Sequence, residues 1–497
     1  MANIIVGVAK YMMILLIALY TYHCFAIFAY EDDTMKKRVI HNQRVLMFMI
    51  HFMAFAGMYF KTDENKILIF YLAQVVLLGG TIWIYGKLYP KMSRLIVNNM
   101  CMLLTIGFIM ITRLSYNKAV KQCIIVAGAM LISCVVPIAI RKMKQLAELK
   151  VVYALIGLVA LVAVVVIGQV SGGAKLGFEI AGFGIQPSEF VKILFVFYVA
   201  SSLRKSTAFK NVVMTTIVAA FHVLILVISK DLGAALIIFV VYLVMLYVAT
   251  QNMTYTIAGV LAGSVAAVSS YHLFNHVRVR VLVWQDPFAV YDRGGYQVAQ
   301  SLFAIGTGSW FGTGLYQGRA DAIPVADEDF IFSAIAEEMG LIFALCLVLI
   351  CVSCYIMFLN IAMQLHNCFY KYVALGLGTS YIFQAFLNIG GVTKFIPSTG
   401  VTLPLVSYGG SSIVSTLIMF AIIQGLYILK EEEEEEIEKK RRQKEAREQR
   451  ALKERRDQHH IAQSGREQTS PRSTVRQTRS QVAGRTKEKE NKQQRTR

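Results

Sequence analysis

The chain has 497 residues, 56% of them hydrophobic, with only 8 prolines and a mean hydropathy of +0.54. Its apolar residues come in blocks of about 20, which excludes a soluble globular protein of this length and points to an all-α polytopic membrane protein. The net charge of +19 is not one patch: the segment from Glu431 onward holds 20 Lys/Arg against 14 Asp/Glu, and most of the remaining excess lies in short loops, where basic residues set membrane orientation and do not imply nucleic acid.

The first apolar block, Ile4 to Tyr30, is too long for a signal peptide and has no small-residue cleavage pattern after it, so it reads as a retained span. About thirteen spans follow the chain, centred near Ile17, Met53, Val76, Ile106, Leu131, Leu161, Phe195, Thr216, Val240, Gly263, Leu345, Tyr381 and Phe420. The basic connections "MKKRVIHNQR", "YPKMSR", "RKMKQLAELK" and "RKSTAFK" fall at alternate turns and are expected on the cytoplasmic side. The connections Ser171–Ser188, Asn275–Asp329 and Thr393–Val406 then face outward, with the N-terminus outside and the C-terminus cytoplasmic.

Charged residues inside spans are costly and usually functional. "QPSEFVKI" opens one span with Glu189 and Lys192 on the same helix face, able to neutralise each other. In "SKDLGAAL", Asp231 stands where a helix begins, so a cap explains it. The loop Asn275–Asp329 is about 55 residues long and rich in Gly and aromatics, more than a connection needs. It ends in "IPVADEDFIFSAIAEEMG", where Asp327, Glu328 and Asp329 abut Phe330 and a helix holding Glu337 and Glu338. Three acids exceed what capping needs, and a partly desolvated carboxylate can act as a base.

"GGVTKFIPSTGVTLPLVSYGGSS" breaks an apolar region with Pro397, Pro404, Gly409 and Gly410. Such irregular backbone is tolerated at membrane depth only where it lines a cavity. The eight cysteines mostly sit within apolar blocks, and "CVSC" has no second pair, so neither a disulfide framework nor a zinc site is expected. The tail starts with a glutamate run whose acid-before-base pairs favour a solvated helix, and from about His460 its composition reads as disordered.

Taken together, "QPSEFVKI", "DLGAALIIF", "GGYQVAQSLFAIGTGSWFGTGL", "EDFIFSAIAEEMG" and "STGVTLPLVSYGGSS" resemble, in order and spacing, the SEDS family (shape, elongation, division and sporulation) of the RodA/FtsW type. The resemblance implies a ten-span core. It divides the chain into residues 1–90, three extra spans; 91–430, the glycosyltransferase core; and 431–497, a charged cytoplasmic tail. Leu176 and Gly177 stand where the family usually has Arg-Trp, Lys230 where it has Pro, and Glu328 where it has Thr.

The resemblance implies an inverting peptidoglycan glycosyltransferase that polymerises lipid II at the outer face of a bacterial cell membrane. Its expected partners are a class B penicillin-binding protein and other elongation or division proteins. By position, Asp329 is the implied catalytic base. Glu189, Lys192, Arg278, Arg280, Gln297, Gln300, Ser301, Glu337, Ser407 and Tyr408 are the implied substrate-binding residues. Arg278, Arg280 and Lys192 are the cations expected at the leaving diphosphate. No metal-ligand cluster stands out, and a divalent cation shared between diphosphate and carboxylates is compatible with the pattern. Other readings of the same polar cavity are a lipid II flippase and a non-catalytic shape or division scaffold.

Overall fold

The computed structural model describes residues 2–171, 174–180 and 183–467. Two compact units divide the chain, Met1–Glu433 and Glu434–Arg497. In the first, α1 (Ala2–Ala26), α2 (Asp33–Thr62) and α3 (Asn65–Leu88) precede α4 (Arg94–Leu114), α5 (Tyr116–Ser133), α6 (Val136–Lys142) and α7 (Lys150–Ile167). Then come α8 (Pro187–Lys205), α9 (Phe209–Ile228), α10 (Leu232–Thr250), α11 (Met253–Leu273), α12 (Asn275–Gln285) and α13 (Gly295–Gly308). The series closes with α14 (Ile331–Met339), α15 (Leu341–Gln364), α16 (Cys368–Val392) and α17 (Gly410–Glu467).

Among the described residues, 12 helices are long and apolar enough to cross a membrane. The span expected near Phe195 is α8, which is not one of them because Glu189, Lys192, Arg204 and Lys205 dilute its apolar sequence. It is nevertheless buried along most of its length among α7, α9, α10 and α16. A helix shielded on all sides by other spans can carry charges that lipid would not accept. Helix starts follow local chemistry: Asp32, Asp231, Asn252 and Asn367 each accept a backbone N–H of the first turn, and Pro187 opens α8.

α4 is the most enclosed span, with its whole apolar stretch inside the protein. α2, α5 and α15 supply most of that cover, with α3 adding to it, while α1 packs on α2 and α15. A polar seam runs through the contact. Asn98 Nδ2 donates to Ile40 O at 3.1 Å, and Asn98 Oδ1 accepts from Arg44 Nε at 3.1 Å. Tyr20 donates to Asn99 Oδ1 at 3.0 Å, and Asn99 reaches Ser353 on α15 at 3.3 Å.

Two of the connections expected to face outward carry structure of their own. Residues after α7 form a small antiparallel sheet, β1 (Gln169–Ser171), β2 (Ala174–Ile180) and β3 (Phe183–Ile185), in the order β1-β2-β3. The long connection folds into α12, α13 and α14 with 3-10 turns between them. The span expected around Leu345 is interrupted: Gly340, at φ +90°, ends α14 and starts α15. Over residues 434–456, α17 is exposed and laced by Glu436–Lys440 at 2.8 Å and Glu438–Arg442 at 2.5 Å. It continues to Glu467, past the expected onset of disorder at His460, and residues 468–497, where the rest of that expectation falls, lie outside the described residues.

Candidate active site

The segment carrying the three acids is held in place by the irregular stretch after α16. Ser407 donates to Glu328 O at 2.6 Å and Tyr408 N to Asp327 O at 2.7 Å, so these two residues clamp the acidic backbone. Asn388 donates to both Asp329 O (2.8 Å) and Val401 O (2.7 Å), fastening α16 to the same point. None of the acids caps α14: the residue at the cap position is Phe330, which makes no side-chain capping bond.

The side chains then diverge. Lys118 on α5 takes Asp327 at 2.6 Å and Glu328 at 3.1 Å. Among the described residues, the Asp329 carboxylate has no hydrogen-bond or ion-pair partner. It faces a cavity of about 160 Å³ lined by Arg280, Gln297, Lys394, Trp284 and Gly400. Burial, reinforced by Glu328 and Asp327 and opposed by Arg280, lifts its pKa to about 6. Arg280 is fixed by donating to Ser398 O at 3.2 Å. Gly400, at φ +73°, lets the chain pass close by: a Cβ there would lie 3.3 Å from Asp329 Oδ2.

The other expected site residues separate into groups. Gln297 shares the cavity. Gln300 instead donates to Tyr291 at 3.1 Å, and Ser301 ties α13 to Val392 O at 2.8 Å and to Ser333 at 2.6 Å. Arg278 lies two residues from Arg280 on α12, and a helix turns such neighbours to different faces. It points outward, with its guanidinium 3.3 Å from His272 O. Glu337 is buried and accepts from Arg319 N at 2.8 Å, holding the loop before α14.

Glu189 and Lys192 form the expected pair at 2.9 Å, both buried. Ser415 adds a bond to Glu189 at 2.9 Å, and Lys192 donates to Gln384 at 2.6 Å. Gln384 in turn donates to Thr402 O at 3.1 Å, two residues from Gly400. The pair therefore supports the cavity wall, and its lysine is already neutralised. Asp231 caps α10 through Ala234 N and also accepts from Ser188 at 2.7 Å and Gln186 at 3.1 Å.

Sequence reasoning missed Lys394, Asn388, Gly400 and Lys118. Only Lys394 left a signal, a lone cation within the apolar run "GGVTKFIP". Among the described residues, no group of three His, Cys, Asp or Glu side chains converges as a metal-ion set.

Comparison with known proteins bears on the same region. The family model for FtsW, RodA and SpoVE, described as cell cycle protein, matches residues 93–432. A Mycobacterium leprae protein named peptidoglycan glycosyltransferase RodA is 34% identical over 360 residues, 67% of this chain and 77% of that protein. Its counterpart from Mycobacterium tuberculosis H37Rv is 33% identical over 381 residues, covering 71% and 81%. Among solved structures, a chain from a peptidoglycan synthase complex, described as coordinating polymerization and crosslinking, superposes with a TM-score of 0.59 at 21% identity. That match covers 68% of this chain and 98% of the other. The Thermus thermophilus rod shape determining protein RodA gives 0.52 at 20% identity, covering 68% and 96%.

Proposed function

Because the chain belongs to the FtsW/RodA/SpoVE family of cell cycle proteins, we propose that the cavity beside Asp329 is where it joins sugars from a lipid-linked donor. The protein is a multi-pass membrane peptidoglycan glycosyltransferase. The donor we infer is lipid II, consumed at the outer face of the membrane, with the N-terminus outside and the C-terminus cytoplasmic. An acceptor 4-hydroxyl attacks the anomeric carbon of the donor. The new C–O bond forms as the bond to the diphosphate oxygen breaks; the diphosphate leaves with the electron pair, and the hydroxyl proton passes to Asp329. One displacement turns an α-linked donor into a β-linked product.

The observation that carries this reading is Asp329 itself. It is the one member of the acidic triplet left without a cation partner among the described residues, and it borders the cavity beside a fixed guanidinium. A base must be ionised and free to accept. A pKa near 6 allows ionisation at neutral pH and gives a stronger base than an ordinary aspartate. Arg280 is placed to meet negative charge as the diphosphate departs.

We further propose that the crosslinking partner is a class B penicillin-binding protein, supported by the fold shared with the synthase-complex chain. An elongation role is favoured over division. The RodA relatives above match 67–71% of the chain, whereas the FtsW of Bacillus subtilis is 31% identical over 292 residues and matches 55% of it.

The test is glycan-chain synthesis from lipid II by purified protein with its partner. Asp329→Asn keeps the shape but cannot take the proton, so synthesis falls by about two orders of magnitude. Asp327→Asn and Glu328→Gln, which alter residues held by Lys118, retain most activity. Normal synthesis by Asp329→Asn removes Asp329 as the base.

A further inference from the structure

We propose that Lys394 is the second cation of the cavity and clasps the donor's diphosphate together with Arg280. This rests on the cavity being the transfer site. The three cations that the family resemblance suggests for the diphosphate do not converge: Lys192 is neutralised by Glu189, Arg278 is turned to the His272 carbonyl, and only Arg280 borders the cavity. Arg280 alone, opposite Asp329, leaves the cavity close to neutral. A diphosphate diester brings two negative charges and gains a third as the anomeric C–O bond breaks. Binding it, and stabilising its departure, requires a net positive wall. Lys394 lines that wall.

The backbone strengthens the inference. Lys394 adopts φ +60°, the left-handed conformation, directly after Thr393 ends α16. Glycine or asparagine normally fills that place, because a β-carbon is disfavoured there. A lysine at a helix C-terminus also complements the helix dipole, but an ordinary right-handed position in the last turn would provide that without strain. Among the described residues, the Lys394 ammonium has no hydrogen-bond or ion-pair partner. A strained residue with an unpaired cation over a cavity, across from the candidate base, is better explained by a ligand than by folding.

The two roles are separable, because for the backbone alone glycine is the better residue at 394. Lys394→Gly, Lys394→Asn and Lys394→Arg are compared for lipid II polymerisation at varied donor concentration and for thermal unfolding, with Asp329→Asn alongside. The expected result is that Lys394→Gly unfolds at the same or a higher temperature while kcat/KM for lipid II falls about tenfold or more. Asn behaves likewise, and Arg recovers most of the loss. Wild-type kinetics for Lys394→Gly overturn the clasp, as does a clear loss of stability, which would make the side chain structural. If Asp329→Asn also polymerises normally, the cavity is not the transfer site. If Asp329→Asn is inactive and Lys394→Gly is normal, only the clasp fails.

Discussion

Asp329 gains basicity from the same desolvation that makes it uncomfortable in the fold. Its carboxyl is lifted to about 6 by burial first and by Glu328 and Asp327 next. Glycan synthesis should therefore rise with pH through about 6 and level off above it, as the carboxylate forms. Stability should run the other way. The folded-state pKa lies above the ordinary aspartate value of 3.8, so the protonated form contributes stability that is fully present only below that value. That contribution is lost as the pH rises through about 6. Asp329→Asn should then unfold at a higher temperature than wild type at pH 8, and the gap should shrink toward pH 5. An equal gap at both values would mean that the carboxylate is solvated. The acidic triplet stands out in the sequence because three acids against Phe330 break the apolar pattern. Lys118 does not: it meets Glu328 across 210 residues of chain, and nothing local announces that approach.

At the scale of elements, the buried Glu189–Lys192 pair joins α8 to α16 through Gln384 and to α17 through Ser415. Lys192→Ala strands a carboxylate in the bundle and should cost about 3 kcal/mol. The double change Glu189→Gln with Lys192→Met removes both charges and should be the more stable protein, as read by thermal unfolding in detergent. Equal stability of single and double variants would show that water reaches the pair. The break at Gly340 makes a second test. A Cβ there would approach Phe311 C to 2.6 Å and crowd Gly312, and the φ of +90° disfavours any side chain. Gly340→Ala should cost about 2 kcal/mol or more and lower the yield of folded protein. Hydropathy alone does not reveal this break, since apolar residues continue from Ile331 to Leu347 around Glu337, Glu338 and the glycine. The sheet β1–β3 escaped notice because its strands are short and show little alternation.

For the whole molecule, the thirteen expected spans correspond to the twelve apolar helices plus α8, because hydrophobic length is written directly into the sequence. Orientation rests on loop charge and can be checked by impermeant thiol labelling of intact cells, with the exposed Cys368 replaced by Ser. A cysteine at Gln285 should label and one at Lys142 should not; the reverse pattern would invert the site. Arg141 pairs with Glu432, and Glu433 lies 3.6 Å from His366, so the first compact unit runs to Glu433. Cutting after Glu433 should leave polymerisation with the partner largely intact in detergent, whereas complete loss in a well-folded truncation would assign the tail a part in the chemistry.

Ribosomal synthesis gives the seam around α4 a further meaning. Asn98 and Asn99 are adjacent amides in a span, and bare amides in hydrocarbon are costly. Their partners Tyr20, Ile40 and Arg44 are made first and are already in the bilayer when α4 leaves the insertion machinery. Chain order thus supplies these partners early, and Ser353 on α15 joins Asn99 later. A gene trimmed to start near residue 91 would present two uncovered asparagines to the translocon with no resident helix to receive them. The product should be cleared by membrane proteolysis before it could be assayed as a minimal enzyme. The leading spans would in that case have to be present before α4 for its asparagines to find partners in the bilayer.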